Sequence, residues 1–160
     1  MNGPAGGARR VALGAGAAIA FAVVYLLVAP PTRRWVAESL AAPALAAVPA
    51  HVAGTTVAAR ASPPAVLVEG DGTTLAAYSI PLGVLFFLPA LLLLALAPGR
   101  PWWLIFAAVL LALGLLDLVA VAAGIRWGRA GFVAHEFMDS YVIRPASIAV
   151  PLLMLYARRR

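Results

Sequence analysis

The chain contains two long apolar runs, residues 79–97 and 102–124, which are separated by only four residues. Each run has about the 20 apolar residues that a helix needs to cross a hydrocarbon core of roughly 30 Å. Because the intervening Pro-Gly-Arg-Pro segment has room only for a tight reversal, we expect the two runs to form a membrane-spanning helical hairpin. Every backbone amide in lipid needs a partner within the chain, so helices are expected here and open strands are excluded.

Two further segments complete a predicted bundle of four transmembrane helices. Residues 11–29 form an apolar run that follows two arginines, and residues 141–157 form a last span. A secretory signal peptide is the alternative for the first segment. The run is long for a signal core and no small-residue cleavage site follows it, so an anchor is favoured. The predicted fold class is therefore an all-α membrane protein, with one integral membrane domain over residues 1–160.

Composition and charge agree with a membrane location. The chain is 64% hydrophobic, which exceeds what a soluble core of this size can use. Its formal charge of +6 comes from twelve arginines, which lie mostly at the ends of apolar runs, and this pattern is typical of water interfaces. We therefore expect the lipid bilayer as a partner and no nucleic acid. The arginine distribution favours cytoplasmic N and C termini, and the Arg-only, Ala-rich usage favours a bacterial inner membrane.

Residues 30–78 form the predicted extracytoplasmic loop, and part of it has strand chemistry. Two β-favouring runs, 65–69 and 73–78, flank a Gly-Asp-Gly turn at 70–72. This pattern predicts a β-hairpin. Since a lone hairpin is marginal in water, a third strand near residues 52–60 is also expected, which gives a small antiparallel sheet.

Asp117 is the one ionisable residue well inside an apolar run. A carboxylate in lipid is costly unless it has a partner or faces water. We predict a structural ion pair between Asp117 and Arg144, because the last span also forces Arg144 toward the membrane. Proton relay and the binding of a ligand or partner helix remain alternatives for Asp117.

Residues 125–140 are too polar to span and are predicted to form an interfacial segment. It contains His135, Glu136 and Asp139, whose spacing resembles that of zinc-peptidase helices, with an aspartate in place of the second histidine. These three residues are candidate metal ligands, and His51 and Asp117 are further candidates that only the fold can bring to them. Together with Asp117 they are also the candidate catalytic residues. The simpler interpretation is a solvated acidic edge that neutralises nearby arginines, and no cofactor is predicted.

No phosphate-binding loop and no nucleophile-elbow motif occurs in the sequence, which favours a non-enzymatic role. The layout alone is similar to that of the small accessory membrane proteins that accompany bacterial exosortases, and to claudin-like four-span proteins with a strand-bearing first loop. This resemblance carries over no functional residue. The predicted function is an accessory or assembly subunit that binds a larger membrane partner or forms a homo-oligomer. The alternatives are a membrane-embedded enzyme and a small transporter or channel subunit.

Overall fold

The computed structural model describes residues 4–50, 57–97 and 101–157. In this part of the chain the helices are α1 (Pro4–Val36), α2 (Ala42–Ala46), α3 (Val84–Leu96), α4 (Trp102–Trp127), α5 (Arg129–Phe137) and α6 (Arg144–Ala157). Two π-helical segments, Ala37–Ala41 and Met138–Ile143, join α1 to α2 and α5 to α6. The strands are β1 (Val57–Ser62), β2 (Ala65–Gly70) and β3 (Thr73–Ser79).

Three of the described helical stretches are long and apolar enough to cross a membrane. They are Val11–Ala46, Trp102–Trp127 and Arg129–Ala157, with 36, 26 and 29 residues. By their length and composition, these helices indicate a membrane protein. α3 is apolar but has only 13 residues, so the fourth crossing is not established by this criterion.

The helix boundaries differ from the sequence prediction in three places. The span predicted at 79–97 is shorter, because β3 continues through Ser79 and the helix begins only at Val84. The first helix extends beyond residue 29, through Pro30 and Pro31. The segment 125–140, predicted to be interfacial and separate from the spans, is almost entirely helical and continues into α6.

The predicted antiparallel sheet is confirmed. Its strand order is β1-β2-β3, with Ser62 opposite Ala65 and Gly70 opposite Thr73. The turn between β2 and β3 consists of Asp71 and Gly72, which have φ values of 49° and 79°. Two consecutive positive φ values define the type I′ turn that matches strand twist, and this explains the choice of Asp-Gly at this point.

α4 passes through two hydrophobic cores. One core lies among the helices, where Phe106 and Leu110 of α4 pack with Phe86 and Leu93 of α3. The other core lies under the sheet, and its buried members include Val66, Val68, Ala76, Tyr78, Val121 and Ile125. Since both cores share α4, this helix fixes the height of the sheet relative to the bundle.

Candidate functional site

Asp117 and His135 form a buried polar pair between α4 and α5. Asp117 is 3% exposed, and its Oδ1 lies 2.7 Å from Nδ1 of His135. The side chain of His135 is 12% exposed. Because Nδ1 faces the carboxylate, Nε2 is the ring nitrogen that remains for another partner. None of the described residues forms a hydrogen bond with Nε2. A carboxylate at Nδ1 fixes the tautomer and the orientation of an imidazole.

A glycine-lined hairpin brings these two side chains together. Gly128 has a φ of 79° and reverses the chain between α4 and α5. A Cβ added at Gly131 would collide with the backbone of Gly124, so the two helices touch backbone to backbone. This close approach lets a short aspartate on one helix reach a histidine on the other.

The predicted Asp117–Arg144 ion pair is wrong. Nη2 of Arg144 lies 2.6 Å from Oδ2 of Asp139 and not beside Asp117. The π-helical segment before Arg144 accounts for the difference. Its backbone hydrogen bonds join residues five apart, so residues at that spacing, such as Asp139 and Arg144, come close to the same helix face. The side chain of Arg144 is 63% exposed, and that of Asp139 is 29% exposed.

The pair adjoins an open cleft of about 770 Å³ between β3 and the α5–α6 helix. The four catalytic candidates from the sequence therefore divide: Asp117 lies behind the cleft, and the other three line it. The polar and charged residues that line the cleft are Ser79, Arg129, His135, Glu136, Asp139, Ser140 and Arg144. A smaller cavity of about 190 Å³ is lined by Asp117 and shares Ser79 and Asp139 with the cleft.

The candidate metal ligands from the sequence do not come together. Among residues 4–50, 57–97 and 101–157, no group of three or more His, Cys, Asp and Glu side chains is placed to hold a metal ion. His135 and Asp139 each have a different partner, Asp117 and Arg144 respectively. His51, the other histidine considered, lies outside the described residues.

Tyr78 belongs to the same site, although the sequence did not single it out. Its hydroxyl donates a hydrogen bond of 3.2 Å to the carbonyl oxygen of Gly114, one turn from Asp117. Burial, and to a smaller extent the charge of Asp117, raises the pKa of Tyr78 to about 12. The available signal was alternation, because Ala76 and Tyr78 share the buried face of β3. Alternation predicts burial of Tyr78 but not its partner on α4.

Arg33 of α1 was also missed as a site residue. Its Nη2 donates a 3.0 Å hydrogen bond to the carbonyl oxygen of Ile80, and its Nε is buried with no hydrogen-bond partner among the described residues. In the sequence, Arg33 looks like any arginine at the end of an apolar run. Only the fold distinguishes it from its exposed neighbour Arg34, which pairs with Glu38 at 2.8 Å.

Comparison with known proteins gives no match to a family model, to a curated protein or to a solved structure.

Proposed function

We propose that this chain is a small accessory subunit that docks on a larger membrane protein through one face of α1. The observation that carries the proposal is the small contact area of α1 within the chain. Only 11% of the apolar part of Val11–Ala46 is buried, compared with 33% for α4 and 11% for Arg129–Ala157. A helix that is long enough to span, yet packs so little against its own chain, has most of its surface available to other molecules.

The face proposed for docking lies opposite the packed side of α1. Gly14, on the packed side, is so close to α3 that a Cβ there would collide with the carbonyl oxygen of Ala95. The free face consists of Gly16, Ala20, Val23 and Leu27, which are all exposed and recur at helical spacing. Small residues on such a face let a second helix approach closely, and this drives association where lipid removes the hydrophobic difference.

The proposed topology has four crossings, with both termini in the cytoplasm of a bacterial cell and the sheet outside. The proposal of a fourth crossing rests on the hydrophobicity of α3. This helix packs against the N-terminal part of α4, and the sheet packs against the C-terminal part. Reporter fusions after Arg100 and after Arg160 should give a cytoplasmic signal, and a fusion at Asp71 should give the opposite. A cytoplasmic signal at Asp71 contradicts the topology.

Photo-crosslinking from neighbouring positions of α1 tests the docking. Val23 and Val24 are 53% and 58% exposed, but only Val23 belongs to the free face. A crosslinker at position 23 should capture one defined larger membrane protein in cells, and a crosslinker at position 24 should not. Val23→Trp should abolish co-purification of that protein, and Val24→Trp should leave it intact. Capture of only a second copy of this chain would replace the accessory role with a homo-oligomer, and capture of lipid alone would refute docking.

A membrane-embedded enzyme is the second candidate, favoured by the 2.7 Å contact between Asp117 and His135 at the edge of a charged cleft. An imidazole oriented by a carboxylate can act as a general base or acid through its other nitrogen. In cells that lack the wild-type gene, His135→Gln and Asp117→Asn should then abolish function while the variants still accumulate and retain the partner. Variants that lose function only when they lose the partner would favour the accessory role alone.

A further inference from the structure

Arg33 is a cation that is paired with no carboxylate in the described part of the chain. Its guanidinium contacts the carbonyl oxygen of Ile80 through Nη2, and Nε is buried without a hydrogen bond. In the described part of the chain no acidic side chain lies within ion-pair distance of it. Asp117 and Asp139 line a cavity that Arg33 also borders, but their close partners are His135 and Arg144. The charge of the guanidinium is therefore not balanced by an acidic side chain of the described residues, and it can be balanced by an anion from outside the chain.

Two neighbouring clefts both have Arg33 in their lining. The first, of about 630 Å³, lies between the end of α1 and the β1–β2 turn and is lined by Arg33, Arg34 and the prolines at 30, 31, 63 and 64. The second, of about 410 Å³, is an almost wholly apolar groove beside α1, lined by Phe21, Val24, Val28, Leu82, Trp103 and others. Tyr25, Ala29 and Arg33 line both clefts. Among the residues that the structure describes, no acidic side chain lines either cleft.

We propose that these clefts bind one anionic phospholipid, with its phosphate on Arg33 and one acyl chain in the apolar groove. The dimensions agree with this occupant. Along α1 the lining of the groove runs from Phe21 to Val36, and the part between Phe21 and Arg33 is about 18 Å long at the helical rise. One leaflet of hydrocarbon is about 15 Å thick. The two arginines give the headgroup end a positive charge, and Glu38 offsets only Arg34.

Arginine suits this role because its planar fork of donors binds phosphate oxygens in pairs. The bond from Nη2 to the carbonyl oxygen of Ile80 holds the guanidinium in place, so less side-chain entropy is lost on binding. Tyr25 lines the groove next to Arg33, and its side chain is held in place because its hydroxyl donates a 2.7 Å hydrogen bond to the carbonyl oxygen of Leu82. The binding site is therefore formed before the lipid arrives.

The test uses the purified full chain in a neutral detergent and compares two dioleoyl lipids, phosphatidylglycerol and phosphatidylcholine. Phosphatidylglycerol should raise the thermal midpoint in a saturable way, and native mass spectrometry should retain one copy of it. Phosphatidylcholine has the same phosphate but should bind about tenfold more weakly, because its choline cation cancels the headgroup charge and is repelled by Arg33 and Arg34. Inorganic phosphate at the same concentration should give no shift, because it lacks the acyl chain.

Two variants and a matched control locate the site. Arg33→Gln should weaken phosphatidylglycerol binding about tenfold, and Val24→Trp should do the same by filling the groove. Val23→Trp places the same bulk on the other side of α1 and should leave lipid binding unchanged. Equal binding of the two lipids, or full binding by Val24→Trp, overturns the proposal, and Val24→Trp decides the question if Arg33→Gln fails to fold. A positive result with inorganic phosphate alone would assign the site to free phosphate instead.

The proposals of the lipid site and of the docking face can be refuted independently of each other. Val23→Trp tests the docking of a partner without touching the groove, and Val24→Trp tests the groove without touching the docking face. A chain that binds phosphatidylglycerol but captures no partner would keep the lipid site and lose the accessory role.

Discussion

Replacing His135 with leucine tests the contact that joins α4 to α5. The imidazole lies 2.7 Å from a carboxylate that is only 3% exposed, so its loss leaves Asp117 buried without a partner. Removing one member of a buried pair typically costs about 3–5 kcal/mol. Arg144→Gln is the matched control, because it breaks an ion pair whose arginine side chain is 63% exposed. Exposed pairs contribute only about 0–1 kcal/mol.

Thermal unfolding of both variants in one detergent measures the difference. For a chain of this size, 1 kcal/mol corresponds to about 2–4 °C in the midpoint. His135→Leu should therefore lower the midpoint by at least about 6 °C, and Arg144→Gln by at most about 4 °C. Adding Asp117→Asn to His135→Leu should recover part of the loss, because no buried charge is then left unpaired. Equal losses for His135→Leu and Arg144→Gln would refute the assignment of the pair.

Two further predictions concern the packing and the titration of the site. Gly131→Ala should lower the free energy of unfolding by about 1–3 kcal/mol, because its Cβ would collide with the backbone of Gly124. Gly16→Ala, which meets nothing within 4 Å, should stay within about 0.5 kcal/mol of wild type or stabilise; equal losses in chemical denaturation would contradict the close helix contact. Tyr78 should ionise near pH 12, since its pKa is raised above the ordinary value of 10.0. Its stabilising effect is present below pH 10 and lost as the pH rises to about 12, so the wild-type protein should lose stability relative to Tyr78→Phe in that range. A larger rise of phenolate absorbance in the wild type than in Tyr78→Phe near pH 10 would show that Tyr78 is not buried.

The elements that the sequence predicted correctly are those with strong local signals. The Asp71-Gly72 turn specified both its own conformation and the pairing of β2 with β3. The long apolar run from Trp102 likewise predicted α4, whose end lies within three residues of the expected one. In both cases the physical cause acts over a few residues, so no tertiary information is needed.

The site depended on features that act over long distances, and its partners were therefore assigned wrongly. Arg144 was expected to reach Asp117 because both interrupt apolar runs. The structure instead contains a π-helical segment before Arg144 and a glycine contact between α4 and α5, and neither has a strong sequence signature. Gly124, Gly128 and Gly131, which form the contact between α4 and α5, are visible in the sequence. However, glycines are frequent in apolar helices, so they do not by themselves identify the partner helix.

The height of Asp117 along the bundle explains why a carboxylate is tolerated there. The sequence places Asp117 in the middle of an apolar run. Two hydrogen bonds show, however, that polar segments of the chain lie at the same height along the bundle as Asp117. Tyr78, at the end of the sheet, bonds the carbonyl of Gly114, and Arg33 bonds the carbonyl of Ile80 two residues further along. Arg33 itself lies four residues beyond the apolar run that ends at Ala29, about 6 Å at the helical rise.

It follows that Asp117 is level with the polar end of α1 and not with the middle of its apolar part. The sheet and α5 cover α4 at this level, where lipid would otherwise be. Two features therefore reduce the free-energy cost of burying the carboxylate of Asp117. One is the nearby imidazole of His135, and the other is the polar layer in which both side chains lie. This arrangement also explains why α3 is short, because the sheet packs against the C-terminal part of α4 in its place.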